Sequence, residues 1–262
     1  RQDMCLRQPD RRHIDYNMRI LITGHKGFIG SRLWERLKWQ GHELYGLDIK
    51  DGDDILTAIL PEVELVIHLA AKAGVRESVE NPKLYWETNV EGTKRILGHY
   101  ETTRVLVAST SSVYEPHLNP YAGTKYVAEQ IPHSNCCFMR FHTVYNDSAR
   151  SGMFFDKLFS RTVDYITTHE RDFVHLEDMC GAIEVIVNKP NVKGTFDIGT
   201  GRTIRMSDIC PDLPRLIDTP RERQKTCADI TFMKDNCKWV AKRKIEDFLK
   251  EHDKVVRYYN KG

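Results

Sequence analysis

The sequence of 262 residues lacks the marks of membrane, secreted and nucleic-acid-binding proteins. No apolar run is long enough to cross a bilayer. The first 17 residues are polar and charged, without the apolar centre of a secretory signal, and we interpret residues 1–17 as a flexible leader ahead of Met18. The 39 basic and 37 acidic side chains leave a net charge of only +2, so neither a nucleic-acid partner nor a membrane surface is expected.

Cysteine spacings typical of metal sites or disulfide frameworks are missing as well. The seven cysteines are an odd number, and none belongs to a Cys-x-x-Cys pair. Cys136 and Cys137 lie inside an apolar, strand-like run. We therefore expect reduced, mostly buried thiols, no metal site and a cytoplasmic protein.

A glycine-rich segment follows the first strand-like run, residues 19–23. It contains Gly24, Gly27 and Gly30, and an amphipathic helix is predicted from Phe28 onwards. A dinucleotide-binding loop needs the first glycine for a tight turn, the second for close approach to a pyrophosphate and the third for helix–strand packing. The helix N-terminus then favours an anion. A purely structural turn is the alternative.

An acidic residue, Asp48, ends the next strand-like run. In dinucleotide folds an acid at this distance binds the adenosine ribose hydroxyls, and its charge repels the 2′-phosphate of NADP. Asp48 therefore favours NAD over NADP. His25, Lys26 and Lys50 count against this preference, because positive charge near the ribose suits a phosphate.

Strand-like and helical segments alternate up to about residue 141. This alternation predicts an α/β fold of the Rossmann type, a doubly wound parallel sheet with helices on both faces. Strands are predicted at 19–23, 43–48, 65–69, 104–109 and 137–141, and helices at 28–40, 83–100 and 121–130.

The second half of the chain is less regular. We assign residues 18–150 to an NAD-binding domain and residues 151–262 to a small α/β substrate-binding region, some of which, within 170–200, returns to the first domain. In this half we predict helices near 152–161 and at 179–188, a strand at 195–199, and a last helix with an apolar stripe at Ile245, Phe248, Leu249 and Val256.

Tyr121 and Lys125 are spaced to share one face of the helix predicted at 121–130. A free tyrosine, with a pKa of about 10, is a poor base at neutral pH. A neighbouring lysine cation favours the phenolate and lowers the pKa of the tyrosine, so the tyrosine becomes a better base at neutral pH. A Tyr-x-x-x-Lys pair is common on ordinary helices, but here it follows a nucleotide-binding pattern and the hydroxyl cluster of residues 109–112.

These motifs, in this order, resemble the extended short-chain dehydrogenase/reductase family. The closest resemblance is to its nucleotide-sugar 4-epimerases of the UDP-glucuronate and UDP-galactose type, and it runs from Met18 to about Asp229. The resemblance rests on the segments 24–30, 54–55, 68–71, 73–82, 109–114, 140–145 and 171–175, together with Asp48, Asn89, Tyr121 and Lys125.

The resemblance implies NAD as cofactor and a set of residues that hold it. The glycine loop would bind the pyrophosphate, Asp48 the ribose, and two later residues the adenine. Asn89 is expected to distort its helix rather than to catalyse. The implied cofactor-binding residues are Gly24, Gly27, Phe28, Ile29, Asp48, Ile49, Asp54, Ile55, Leu69, Ala70, Ala71, Lys72, Asn89, Ser109, Tyr121, Lys125, Phe141 and His142.

The resemblance also implies the catalytic and substrate-binding residues. Thr110 would hold the sugar 4-oxygen while Tyr121 acts as the base with the help of Lys125. Arg171 would grip the substrate diphosphate, as its forked guanidinium suits. Further substrate contacts are implied for Arg76, Ser111, Arg221 and Glu222. Arg76 could instead pair with Glu77 or Glu80, Arg171 with Asp172, and His142 could be merely buried.

Two serines, Ser111 and Ser112, follow Thr110, where related dehydratases carry an Asp-Glu pair and decarboxylases a glutamate. Serine cannot act as an acid or base at neutral pH, so the resemblance implies 4-epimerisation by transient oxidation at C4. An NAD(P)-dependent keto-sugar reductase or dehydratase of the same family, and a non-catalytic nucleotide-binding relative, stay as alternatives. The sugar itself is open.

The chain departs from the family pattern around Tyr121. Only six residues, 115–120, separate it from Tyr114, where relatives carry a longer substrate loop. Pro132 should end the following helix early. That helix normally builds the homodimer of the family, so a homodimer is possible but in doubt.

Overall fold

The computed structural model describes residues 17–148, 152–216 and 219–260, so all of the predicted leader except Asn17 lies outside the described residues. The strands are β1 (Arg19–Thr23), β2 (Glu43–Leu47), β3 (Leu65–His68), β4 (Arg104–Thr110), β5 (Cys136–Phe141), β6 (Thr143–Tyr145), β7 (Ile166–Thr167), β8 (Glu170–Arg171), β9 (Phe173–His175), β10 (Gly194–Ile198), β11 (Ile204–Arg205) and β12 (Arg215–Leu216). The α-helices are α1 (Phe28–Trp39), α2 (Val75–Glu80), α3 (Pro82–Trp86), α4 (Gly92–His99), α5 (Pro120–Glu129), α6 (Phe154–Phe159), α7 (Leu176–Val187), α8 (Met206–Ile209), α9 (Thr231–Asp235), α10 (Ile245–Glu251) and α11 (Asp253–Tyr259).

Six strands form one parallel sheet in the order β10-β5-β4-β3-β1-β2. Its strands are apolar on both sides because helices cover both faces. On one face, residues such as Ile20 pack with α1 and α7, and on the other face, residues such as Leu21 pack with α4. The predicted Rossmann-type α/β fold is confirmed. No helix in the described ranges is long and apolar enough to cross a membrane.

A separate aromatic cluster fills the second half of the chain. Tyr145, Phe155, Phe173 and Phe248 pack edge-to-face or tilted, with ring centroids 5.1 to 6.1 Å apart. Short strand pairs, β6 with β9, β7 with β12 and β8 with β11, surround this cluster. The division of the chain at residue 150 stays a prediction. β10, which comes after it, pairs with β5 in the main sheet.

The prediction of one regular helix at 83–100 is wrong. The segment consists of α3, a π-helical stretch Glu87–Glu91, and α4. Asn89 lies inside the π-helical stretch, as expected for a residue that distorts its helix. Its side chain is fully buried and bonds to a neighbouring loop instead of facing solvent.

Two further predicted helices differ from the structure. The helix predicted at 179–188 begins three residues earlier, because His175 caps its first turn by accepting a hydrogen bond from the Glu177 amide. The predicted last helix is two helices, α10 and α11, separated at His252. The His252 ring packs on Phe159 and Phe248, and its backbone leaves the helical region. The other predicted bounds agree within two residues.

Candidate active site at the carboxyl edge of the sheet

The glycine-rich loop joins β1 to α1 at the carboxyl edge of the sheet. Gly24 has a φ of +73°, and a Cβ there would lie 2.8 Å from the Ala70 amide nitrogen. A Cβ on Gly30 would lie 2.1 Å from the Gly24 carbonyl oxygen, so only glycine lets α1 start against this loop. Because none of the described side chains caps α1, the amides of its first turn are free of such contacts and suit an anion.

Asp48 ties the end of β2 to this loop. Its two carboxylate oxygens accept hydrogen bonds from the amides of Lys26, at 2.9 Å, and Lys50, at 3.0 Å. Each oxygen can accept more than one hydrogen bond, so these contacts still allow the predicted bond to a ribose hydroxyl. The carboxylate is thus held in place beside the glycine-rich loop.

The positive groups that counted against NAD already have partners. The Lys26 ammonium forms an ion pair with Asp51, whose carboxylate also lies 3.4 Å from His25 Nε2. The Lys50 ammonium donates to the Lys26 carbonyl at 2.8 Å. These contacts compete with a 2′-phosphate and support the choice of NAD.

Asn89 holds the loop that follows β3. Its Oδ1 accepts from the Lys72 amide at 2.8 Å, and its Nδ2 donates to the Lys72 carbonyl at 3.0 Å and to Thr124 Oγ1 at 3.1 Å. The Asn89 carboxamide therefore connects the predicted cofactor loop, residues 69–72, to α5. Its contacts in the structure are with the protein, and its assignment to the cofactor site stays a prediction.

Helix α5 carries the Tyr–Lys pair. Asn119 caps it by accepting from the Ala122 amide at 2.8 Å, and Pro120 suits the first turn. Lys125 is buried, and its ammonium donates to the Ala108 carbonyl on β4 at 2.6 Å. Burial lowers the pKa of Lys125 to about 8, although nearby Glu129 opposes the shift. The ring of Tyr121 lies edge-on to that of Tyr85, 6.3 Å away.

The predicted hydroxyl cluster lies at the end of β4. Thr110 Oγ1 accepts from the Ser112 amide at 3.2 Å, which starts the short 3-10 turn Ser111–Tyr114. Ser109 donates to Glu129 at 2.5 Å. Glu129 also accepts three hydrogen bonds from Arg140, two from Nε and one from Nη2. Sequence reasoning missed Glu129, although it follows Lys125 by four residues and so lies on the same helix face.

Behind this block, Asp197 on β10 collects three donors. Its carboxylate accepts from Tyr114 at 2.8 Å and from the Asp229 amide at 3.0 Å, and His142 Nε2 lies 3.1 Å away. Burial alone would raise the pKa of Asp197, but the bonds from His142 and Tyr114 lower it overall. Phe141 and His142 are both buried here, and the His142 contact with Asp197 is specific rather than mere burial.

Two of the implied substrate residues, Arg171 and Glu222, lie beside each other. The Arg171 guanidinium donates to the Arg223 carbonyl at 2.8 Å and approaches Glu222 at 3.4 Å. The predicted alternative, a pair of Arg171 with Asp172, does not occur among the described residues. The buried Asp172 carboxylate instead accepts from backbone and side-chain groups of residues 200, 201 and 228.

Arg76 and Arg221 join this region through different contacts. Arg76 donates to the Tyr165 hydroxyl, and it forms no ion pair with Glu77 or Glu80 in the described part of the chain. The Arg221 carbonyl accepts from Asn119 Nδ2 at 2.9 Å, which connects the segment around Arg221 to the start of α5. Sequence reasoning missed Arg223, whose side chain donates to the Ser111 carbonyl at 2.8 Å.

Together the sheet, the glycine-rich loop and the Tyr–Lys helix define a Rossmann-type α/β protein with the site elements of dehydrogenase-related enzymes. The model of the NAD dependent epimerase/dehydratase family matches residues 20–199, more than half of the chain. The chain therefore belongs to the NAD-dependent epimerase/dehydratase family. The resemblance stated from the sequence is confirmed, and the family description names the predicted cofactor.

Relatives of known sequence and structure agree with this membership. Protein CapI of Staphylococcus aureus is 31% identical over 234 aligned positions, which cover 66% of this chain and 70% of that protein. A UDP-glucuronate 4-epimerase of Thermodesulfobacterium geofontis is 28% identical over 303 positions, covering 88% of this chain and 93% of the relative. The second alignment is longer than the chain itself, so it places gaps within this chain.

A solved structure with bound ligands is also similar. The UDP-glucuronic acid 4-epimerase of Bacillus cereus, in complex with UDP-glucuronic acid and NAD, is 25% identical, with a TM-score of 0.79. The match covers 92% of this chain and 100% of that one. MoeE5, in complex with UDP-glucose and NAD, is 25% identical, also with a TM-score of 0.79, over 91% of this chain and 98% of its own.

Proposed function

We propose that the protein is an NAD-dependent nucleotide-sugar 4-epimerase. The observation that carries this proposal is that α5, which holds Tyr121 and Lys125, is bonded through Lys125 to β4, the strand that ends at Thr110 and is followed by two serines. A relative named UDP-glucuronate 4-epimerase, at 28% identity, and one named "Probable UDP-glucuronate 4-epimerase", at 31% identity, support the same reaction. A structure of such an enzyme holds a UDP-sugar and NAD.

The residues of this chain fit NAD. Glycine at 24 and 30 permits close approach of the backbone, and Asp48 keeps acceptor capacity for a ribose. Bound there, NAD would accept hydride from C4 of the sugar and later return it. Residues 24–29 would hold the pyrophosphate, and Lys125 the nicotinamide ribose. Because the same cofactor is used in both directions, it should stay bound and copurify.

Proton transfer at C4 falls to Tyr121 and Thr110. Thr110 would orient the 4-oxygen while the Tyr121 phenolate takes its proton. At neutral pH a lysine with a pKa of about 8 is mainly protonated, so the Lys125 cation stabilises that phenolate. An ammonium has three donors, and only one is used on the Ala108 carbonyl. After rotation of the 4-ketose, Tyr121 returns the proton.

Acid–base chemistry of the dehydratase kind finds less support. Two glutamates lie near the hydroxyl cluster, and both have other partners. Glu129 is bound to Ser109 and Arg140, and Glu115 lies 3.3 Å from Arg223. Neither directly follows Thr110 in the chain, where the related enzymes carry their acids.

The test is incubation with UDP-glucuronate, UDP-glucose and UDP-N-acetylglucosamine without added cofactor, followed by separation of the C4 epimers. An epimerase reaches the same ratio from either epimer, and the denatured protein releases NAD. A keto-sugar reductase would consume added reduced cofactor and form no epimer. A protein that binds NAD and changes none of the sugars would contradict the proposal.

A further inference from the structure

Arg223 lies between the two catalytic segments of the proposed epimerase. Its Nη1 donates to the carbonyl of Ser111, the residue after Thr110, at 2.8 Å. Two residues away, the Arg221 carbonyl accepts from Asn119, the cap of the helix that carries Tyr121. The segment that contains Arg223 is thus tied to both catalytic stretches.

The guanidinium of Arg223 is held in a fixed orientation. Its central carbon lies 5.2 Å from the centre of the Tyr114 ring, and Glu115 is 3.3 Å from Nε. A cation over an aromatic ring is attracted to its face. The side chain is therefore positioned before any ligand binds, which reduces the entropy that a ligand contact would cost.

Arg223 also keeps unused hydrogen-bond donors. Its buried Nε lies 3.3 Å from the Glu115 carboxylate without a hydrogen bond in the described structure, and its hydrogen bond to the Ser111 carbonyl uses Nη1, so Nη2 is the group left for a ligand. The neighbouring arginines differ: Arg140 binds both oxygens of Glu129, and Arg171 is engaged with carbonyls and Glu222. Among these three arginines, Arg223 has the most donor capacity left for an anion.

From these contacts we infer that Arg223 is a specificity-determining residue that binds the C5 carboxylate of a nucleotide-diphosphate uronate. The inference rests on the proposed function, in which Thr110 orients the sugar 4-oxygen. C5 is bonded to C4, whereas the diphosphate is attached at C1, across the ring. A cation beside Ser111, the residue after Thr110, is therefore closer to the substituents next to C4 than to the diphosphate, and among these substituents only the C5 carboxylate of a uronate is an anion.

Glu115 sets the strength of this selection. Its carboxylate shares the guanidinium with the incoming carboxylate and partly neutralises the charge. Removal of the Glu115 charge should therefore tighten binding of a uronate, without effect on a neutral hexose. This gives a variant that leaves Arg223 and its carbonyl contact in place.

The experiment measures calorimetric dissociation constants of the NAD-saturated protein for UDP-glucuronate, UDP-glucose and UDP. Arg223→Gln should raise the dissociation constant of UDP-glucuronate by about 10- to 100-fold, the range for a charge-assisted hydrogen bond. The dissociation constants of UDP-glucose and UDP should change by no more than about twofold. Lys225→Gln, a control in the same segment whose exposed ammonium pairs with Glu170, should change none of the three. Glu115→Gln should tighten UDP-glucuronate alone.

Other outcomes overturn the inference. Equal weakening of all three ligands by Arg223→Gln would assign Arg223 to the diphosphate. A wild-type protein without preference for UDP-glucuronate, or no tightening in Glu115→Gln, would contradict carboxylate binding even if Arg223→Gln fails to fold. Because a dissociation constant is obtained whether or not the bound sugar is epimerised, selective binding with no epimer formed would remove the proposed function and leave this inference standing.

Discussion

Glu129 accepts a hydrogen bond from the Ser109 hydroxyl at 2.5 Å, one helical turn beyond Lys125. The same carboxylate, which is almost fully buried, binds Arg140 through both of its oxygens. The bond joins α5, which carries the proposed base, to the end of β4, which carries Thr110. The relative position of Tyr121 and Thr110 therefore depends on a buried charged pair.

Replacement of Glu129 should destabilise the protein. Glu129→Ala leaves the Arg140 charge unpaired in a mostly buried place, and breaking such a pair costs about 3–5 kcal/mol when fully buried. Arg140 keeps some solvent access, so we expect the free energy of unfolding in urea to fall by about 2–4 kcal/mol in Glu129→Ala. The double variant Glu129→Ala/Arg140→Met should lose less than the single one. A larger loss in the double variant would contradict this account of the pair.

Tyr121→Phe should abolish turnover and leave NAD bound. A positioned general base contributes on the order of 100- to 10,000-fold to the rate, and phenylalanine keeps the ring that packs on Tyr85. Turnover and NAD content of the denatured protein are measured together. Tyr126→Phe, on the same helix at a residue that is 41% exposed, is the control and should keep wild-type activity. Near-normal activity in Tyr121→Phe would remove Tyr121 as the base.

Lys125 should make stability depend on pH in a definite direction. Because its pKa falls to about 8 on folding, the unfolded chain binds more protons between this value and the ordinary lysine value. The destabilisation caused by burying the Lys125 cation is fully present below pH 8 and disappears as the pH rises towards the ordinary lysine pKa. The free energy of unfolding of the wild type, measured in urea, should therefore rise by roughly 1–2 kcal/mol relative to that of Lys125→Met between about pH 7.5 and 9.5. A constant difference would contradict the shift.

Gly30→Ala should prevent NAD binding and lower stability. Its Cβ would stand 2.1 Å from the Gly24 carbonyl oxygen, so either the loop or α1 must move. Gly98→Ala is the matched control on α4, because a Cβ there meets nothing within 4 Å. The control should gain about 0.5–1 kcal/mol from helix propensity. NAD content and thermal unfolding check both variants, and retained NAD in Gly30→Ala would count against the loop as the cofactor site.

Much of the fold could be predicted from local pattern. The six main strands are short apolar runs, and their bounds agree with the prediction within one residue. The glycine-rich loop and the Tyr–Lys helix were readable because their partners are close in the chain. Where a long-range contact decides the structure, local pattern failed: periodicity predicted one regular helix at 83–100. Only the family resemblance marked Asn89 as the residue that distorts it, and in the structure its bonds reach Lys72 and Thr124.

The predicted site was incomplete for the same reason. Arg223 is 112 residues from Ser111, and no periodicity connects a basic tail to a hydroxyl cluster. Asp197 was part of a predicted strand, yet only the pairing of β10 with β5 brings it beside His142. Glu129 could have been found, since its spacing from Lys125 places both on one helix face.

The central claim is reversible oxidation at C4 with a retained cofactor. The most direct test supplies UDP-glucuronate carrying deuterium at C4 to the purified protein, without added cofactor, and follows epimer and label by mass spectrometry and NMR. The account predicts UDP-galacturonate that keeps deuterium at C4, because the hydride returns to the carbon that it left. Epimer formed with loss of the label to solvent, or no epimer of this or any other deuterated nucleotide sugar, would contradict it.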